Sequence, residues 1–170
     1  MHAPNLHLPR EQWTSHPHYP DQVLLVGSHT QFRRFSRMLI DHAGVGQETA
    51  TISQLFRYWK SGMHSHEAYE EKKLYPYLTA RWGLSCALLR DGHHRLAAAE
   101  VDVLESIPGA HGTQSDALAQ ALAHHDEVLS KHLDEEEDVV VPALLALTPE
   151  EFDTYYHSNI HRLLSQLSRK

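Results

Sequence analysis

Residues 132–142 read His132-Leu133-Asp134-Glu135-Glu136-Glu137-Asp138-Val139-Val140-Val141-Pro142, and residues 66–76 read His66-Glu67-Ala68-Tyr69-Glu70-Glu71-Lys72-Lys73-Leu74-Tyr75-Pro76. Both follow H-x-x-x-E-E-x-x-x-x-P, 66 residues apart. A histidine and a glutamate four apart share one face of a helix, about 6 Å apart along its axis. At about 100° per residue, His66 and Glu70 fall among Ile52, Phe56, Trp59, Met63 and Leu74. His132 and Glu136 fall likewise among Leu118, Ala121, Leu122, Leu129, Val139 and Val140. Both motifs therefore lie on core-facing helix surfaces, with Glu71, Glu135 and Glu137 expected to point away.

Outward from the motifs, five stretches carry helical periodicity and none reads as a strand. They run over about 21–43, ending at Gly44-Val45-Gly46; 48–82, stopped by Gly83; 85–107, with Gly92 as an interruption; 114–147, which Pro142 should kink or end; and a final helix from 148. Thr148-Pro149-Glu150-Glu151 offers an N-cap threonine, a proline at the first helical position and a capping-box glutamate. Phe152, Tyr156, Ile160, Leu163 and Leu167 then form an apolar stripe. Short connections between long helices predict an all-α, up-down-up-down four-helix bundle over 21–147. An irregular leader precedes it over 1–20, and an extra C-terminal helix over 148–170 packs on the bundle or on a partner, such as a second copy in a homodimer.

The first and third helices each contribute one histidine to the core side, His29 and His93, 64 residues apart. His29 lies close to the stripe of Leu25, Phe32, Leu39 and Ile40. His93 is preferred to His94 because it sits near the centre of the face made by Leu89, Leu96, Val103, Leu104 and Ile107. The chain thus reads as two helix pairs in tandem. One histidine on an apolar face is more often a hydrogen-bonded core residue than a ligand. Four histidines and two glutamates on core faces, with no basic partner in view, are different: buried carboxylates are costly unless a cation compensates. Imidazole nitrogens and carboxylate oxygens suit iron, manganese or zinc, and a glutamate can bridge two metals in a bundle core.

Composition narrows the remaining classes. A formal charge of −7 argues against nucleic-acid binding, which needs clustered Lys and Arg. The single cysteine, Cys86, excludes an internal disulfide and any multi-cysteine metal site, and is expected in the core. No apolar run approaches the ~20 residues that cross a bilayer, and the proline-rich leader has no signal-like stretch, so a cytoplasmic protein is expected. The 16 histidines are spread along the whole chain.

With these motifs, residues 21–147 resemble the hemerythrin-like family, the HHE cation-binding domains. The resemblance implies a four-helix bundle with a non-haem di-iron centre, in which His29, His66, His93 and His132 are terminal ligands and Glu70 and Glu136 bridge. Two departures stand out. The family's oxygen carriers place a second histidine four residues after the one on the third helix, where this chain has Ala97; they also place an aspartate five residues after the fourth-helix histidine, where this chain has Glu137, behind Glu136 at four. One imidazole fewer leaves an open coordination position. The resulting expectation is a protein that binds or senses oxygen, nitric oxide or iron. The alternative is a di-iron enzyme reducing peroxide or oxygen.

A second polar layer is also predicted. Glu100, seven residues after His93, and His125, seven before His132, are core-facing and at one level, so a buried Glu100–His125 hydrogen bond is expected, with Trp59 and Ser36 near it. It would relay protons or fix helix register. The leader histidines and His42, His64, His111, His157 and His161 are expected at the surface without a role.

Overall fold

The computed structural model describes residues 8–46, 48–107 and 115–158. Its helices are α1 (Arg10–Trp13), α2 (Tyr19–Gly44), α3 (Thr49–Tyr69), a π-helical turn (Glu70–Leu74), α4 (Tyr75–Trp82), α5 (Ala87–Ser106), α6 (Ser115–Leu145) and α7 (Pro149–His157). No strand occurs among the described residues. Two expected breaks do not occur. α5 runs through Gly92, and α6 continues past Pro142 to Leu145, because both sit where neighbouring helices pack closely and tertiary burial outweighs local propensity. An unexpected irregularity appears instead at Glu70, where the second long helix widens by one residue. α4 then ends at Gly83, whose φ of 70° and N–H bond to the Thr79 carbonyl (2.8 Å) make a left-handed helix cap.

The alternation of helix directions can be followed through two apolar clusters. One contains Leu25, Leu74, Leu89 and Val140, and the other contains Leu39, Met63, Leu96 and Leu129. α2 passes from the first cluster to the second, α3 with its π turn returns, α5 passes again and α6 returns. The four long helices therefore run up, down, up and down. Between the clusters lies a single polar layer holding His29, His66, Glu70, His93, His132 and Glu136.

Both ends of the described chain are fastened to the first cluster. Trp13 of α1 is buried there and its indole N–H donates to the Leu8 carbonyl (2.8 Å). The Thr148 hydroxyl accepts the Glu151 N–H while the Glu151 carboxylate accepts the Thr148 N–H, completing the capping box that starts α7. α7 buries Phe152 and Tyr155 against the bundle; Tyr156, expected in the apolar stripe, is 38% exposed. Phe152 and Tyr155, three residues apart, lie on one face of the helix, and Tyr156 falls at its edge. Ile160, Leu163 and Leu167 lie outside the described residues. No described helix is long and apolar enough to cross a membrane.

Candidate metal centre

All six expected donors meet in the polar layer. His29, His66, Glu70 and Glu136 are fully buried, and His93 and His132 nearly so. On one side, His29 Nε2 and His66 Nε2 are 3.1 Å apart, His66 Nε2 is 2.6 Å from Glu70 Oε1, and His29 Nε2 is 3.5 Å from Glu136 Oε2. Donor atoms of these four residues all lie within 4.8 Å of one another. On the other side, His93 Nε2 is 3.4 Å from Glu70 Oε2, and the His93 and His132 rings are 4.7 Å apart. His132 Nε2 stands 3.9 Å from Glu136 Oε2. Glu70 thus presents one oxygen to the His29–His66 side and the other to His93.

Apart from the His29–His66 contact, proximity here does not mean hydrogen bonding. Both Glu70 oxygens, Glu136 Oε2 and His132 Nε2 have no hydrogen-bond partner, although a nitrogen lies 2.6 Å from one of those oxygens. A hydrogen bond needs the N–H aimed at its acceptor, and these groups are aimed at a common space instead. Each buried polar atom left unpaired costs about 1–3 kcal/mol, and charged ones more. A cation at the convergence point removes that cost, so the residues fit a metal. The donor chemistry, nitrogen plus carboxylate oxygen, is that of iron, manganese and zinc.

The rings are aimed by carboxylates behind them. His29 Nδ1 meets Glu137 Oε1 at 3.0 Å, and His93 Nδ1 meets Glu71 Oε1 at 2.9 Å, which leaves each Nε2 facing inward. Glu137 also accepts from Arg33 (2.8 Å) and Arg10 (2.9 Å). This corrects the expectation that Glu71 and Glu137 point away. One residue beyond Glu136, the side chain turns off the bundle axis and into the seam between α6 and α2, which is buried as well. Glu71 reaches His93 from the widened turn. Glu135 does point outward, to Arg95 (2.8 Å).

Without a cation the layer is electrostatically divided. Burial disfavours the charged form of His29 and His93. The carboxylates outweigh it, Glu137 and Glu70 at His29 and Glu70 and Glu71 at His93, and both are pushed up to about 9. His132, desolvated and beside the positive His93, falls to about 3. Burial and the charge of Glu70 push Glu136 up to about 8, whereas Glu70 stays well below the usual carboxylate range because the facing histidines overcome its own burial.

The family model described as the hemerythrin HHE cation binding domain matches residues 22–144. The chain belongs to that family. No curated protein and no solved structure matches it. The hemerythrin match spans both H-x-x-x-E motifs and both lone histidines. Ala97, at the position of the extra histidine in the family's oxygen carriers, is exposed and brings no donor.

Two hemerythrin-site residues escaped the 100° periodicity. In an α-helix Glu70 and Tyr75 would lie about 140° apart. The π turn, in which the Tyr75 N–H bonds the Glu70 carbonyl, stacks residues five apart and swings Tyr75 toward the layer. Its hydroxyl donates to Glu136 Oε1 (2.9 Å) and lies 3.3 Å from His93 Nε2. Burial and the charges of Glu136 and Glu70 hold the phenol protonated while no cation is present. Gly92 is the other. A Cβ there would stand 2.2 Å from His132 Nδ1, so only glycine lets the ring lie this close to α5.

The second polar layer differs from expectation. Glu100 is fully buried, but its Oε2 pairs with Lys60 Nζ (2.7 Å) and His64 Nε2 (2.9 Å), so His64 does have a role. No hydrogen bond joins Glu100 to His125. Both His125 nitrogens are without a partner, its ring packing edge-on against Trp59 and Phe56, and burial lowers it to about 4. A long lysine from the solvent side reaches a buried carboxylate more readily than a rigid imidazole held by two aromatic faces, and it brings a full charge. Trp59 donates to the Phe32 carbonyl rather than to this layer (3.3 Å).

Proposed function

We propose that the layer holds two non-haem iron ions and that the protein binds or senses oxygen, nitric oxide or iron. The carrying observation is the division of carboxylate oxygens. Glu70 turns Oε1 to His66 and Oε2 to His93, and Glu136 turns Oε2 to His29 and Oε1 to the Tyr75 side, with no hydrogen bond satisfying Glu70 at all. His29 and His66 on one side, His93 and His132 on the other, with Glu70 and Glu136 between them, would hold the two cations and leave positions open, as non-haem iron sites with few protein ligands do. When bound, the pair supplies redox chemistry and vacant coordination positions for a diatomic ligand or peroxide. The chain's own residues hold the ring tautomers through Glu137 and Glu71 and exclude bulk water. Manganese or zinc would fit the same donors.

The alternative, an enzyme reducing peroxide or oxygen, is favoured by the missing histidine at Ala97, but without the Glu100–His125 relay it has less support. Untagged protein loaded anaerobically should contain two irons per chain and change its absorption spectrum on exposure to oxygen or nitric oxide. Glu70→Ala, which removes a donor from both sides, should lose both irons. A protein that takes up no metal, or an iron form inert to both gases, overturns this function. Peroxide turnover that disappears in Glu70→Ala would favour the enzyme.

A further inference from the structure

Tyr75 is a fully buried phenol whose two polar neighbours are both proposed ligands rather than backbone carbonyls. We propose that its oxygen is a protein donor to the cation on the His93–His132 side, an assignment that rests on the two-cation function above. Three observations carry it. The first is spacing. Two bonds of about 2.1 Å at a right angle hold their donor atoms about 3 Å apart. The Tyr75 oxygen lies 2.9 Å from Glu136 Oε1 and 3.3 Å from His93 Nε2, and His93 Nε2 lies 3.4 Å from Glu70 Oε2. These are the separations of neighbouring donors on one ion.

The second is hydrogen accounting. A His93 that holds the cation keeps its hydrogen on Nδ1, toward Glu71, and turns its Nε2 lone pair to the ion. The phenol has one hydrogen and gives it to Glu136. With no hydrogen left between the phenol oxygen and a ligating His93 Nε2, these two atoms, 3.3 Å apart, face the same ion. The third is the backbone: the π turn is what swings Tyr75 onto the face of Glu70, whereas the matching place after His132 is Val141 in unbroken α-helix. On binding, the phenol O–H breaks, the proton leaves to solvent and the oxygen lone pair goes to the cation. No electron is transferred. The Arg90 guanidinium, 5.6 Å above the ring, favours the resulting negative oxygen.

The full chain should be loaded with iron(II) without oxygen, its iron counted, then oxidised to iron(III) with ferricyanide and followed by visible absorption and resonance Raman. A phenolate-to-iron(III) charge-transfer band enhancing tyrosine ring vibrations is expected, with complete loss in Tyr75→Phe and retention in Tyr69→Phe, the neighbouring buried tyrosine. Two irons per chain without such a band in the wild-type protein overturns the assignment to Tyr75 alone. So does a band that survives Tyr75→Phe. Should Tyr75→Phe not fold, the wild-type spectrum and Tyr69→Phe still decide: absence of the band, or its loss in Tyr69→Phe, overturns the proposal. No bound iron at all overturns the two-cation function and this assignment together, and the iron count separates that outcome from the others.

Discussion

The two helix pairs carry the same motif and support it differently. In the first, His66 Nε2 closes to 2.6 Å of its own glutamate; in the second, His132 Nε2 stays 3.9 Å away. The residue preceding the lone histidine is Ser28 in the first pair and Gly92 in the second. Without a Cβ at 92, the His132 ring settles against α5. The second glutamate of each motif crosses to the other pair's lone histidine, Glu71 to His93 and Glu137 to His29. Only Glu137 is buried and held by two arginines; the Glu71 side chain is 42% exposed. A duplicated motif therefore keeps its inward donors while the atoms behind them diverge, so the two proposed cation positions should be unequal.

Among changes that act on one side only, the largest expected effect comes from Gly92→Ala. The added methyl must displace a ring boxed in by the site, and overpacking of this kind costs about 1–3 kcal/mol. At 1.4 kcal/mol per decade the upper end lowers affinity about 100-fold, on the His93–His132 side only. Calorimetric titration of the metal-free protein with zinc should show one step weakened and the other kept. Both steps weakening equally would break the comparison.

Glu137→Gln should act on the opposite side. Loss of a carboxylate behind a metal-binding histidine costs about 10–100-fold in affinity, here at the His29–His66 position. The same variant tests metal-free stability against pH. His29, Arg33 and their charges overcome burial and lower Glu137 from an ordinary 4.5 to about 2. The unfolded chain thus binds more protons in that window, and the stabilisation is complete above about pH 4.5 and lost as pH falls through 2. That lowering corresponds to about 3 kcal/mol. Urea unfolding of metal-free protein should therefore show a steeper loss between pH 5 and pH 2 in the wild type than in Glu137→Gln.

The bundle and the six donors were legible because a period of 3.6 and a spacing of four survive any rotation of the whole helix. Glu137 was not, since a helical wheel distinguishes the bundle axis from solvent but not from the seam between two helices. Its duplicated partner Glu71 was nonetheless a usable signal: the E-E doublet recurs in both motifs, and a repeated second glutamate asks for a repeated role. Tyr75 lies beyond a π turn, and nothing in Glu70–Leu74 marks that turn as distinct from ordinary helix, so the wheel places Tyr75 about 140° from Glu70 although Leu74 is buried as expected. Gly92 reads in the sequence as a weak point in a helix, whereas in the fold it is room for the ring of another helix. Glu100 and His125 share a level but do not pair, because Lys60 and His64 reach in to Glu100 from the side.

The smallest effect should come from Glu71→Gln. Glu71 has the same relation to His93 that Glu137 has to His29, yet its half-exposed side chain carries no arginine, and water can take over the His93 Nδ1 hydrogen once the carboxylate is gone. A loss of less than about 10-fold at the His93–His132 position is expected, below the range for a buried carboxylate behind a ligand. The amide can still accept from Nδ1, which keeps the ring orientation and removes only the negative charge. Side by side with Glu137→Gln, this separates two contributions. If the two variants weaken their respective steps equally, charge behind the ring is what matters and burial is irrelevant. If Glu71→Gln is nearly silent, the carboxylate matters because it is desolvated and clamped, and the inequality of the two cation positions extends to the groups that aim their ligands.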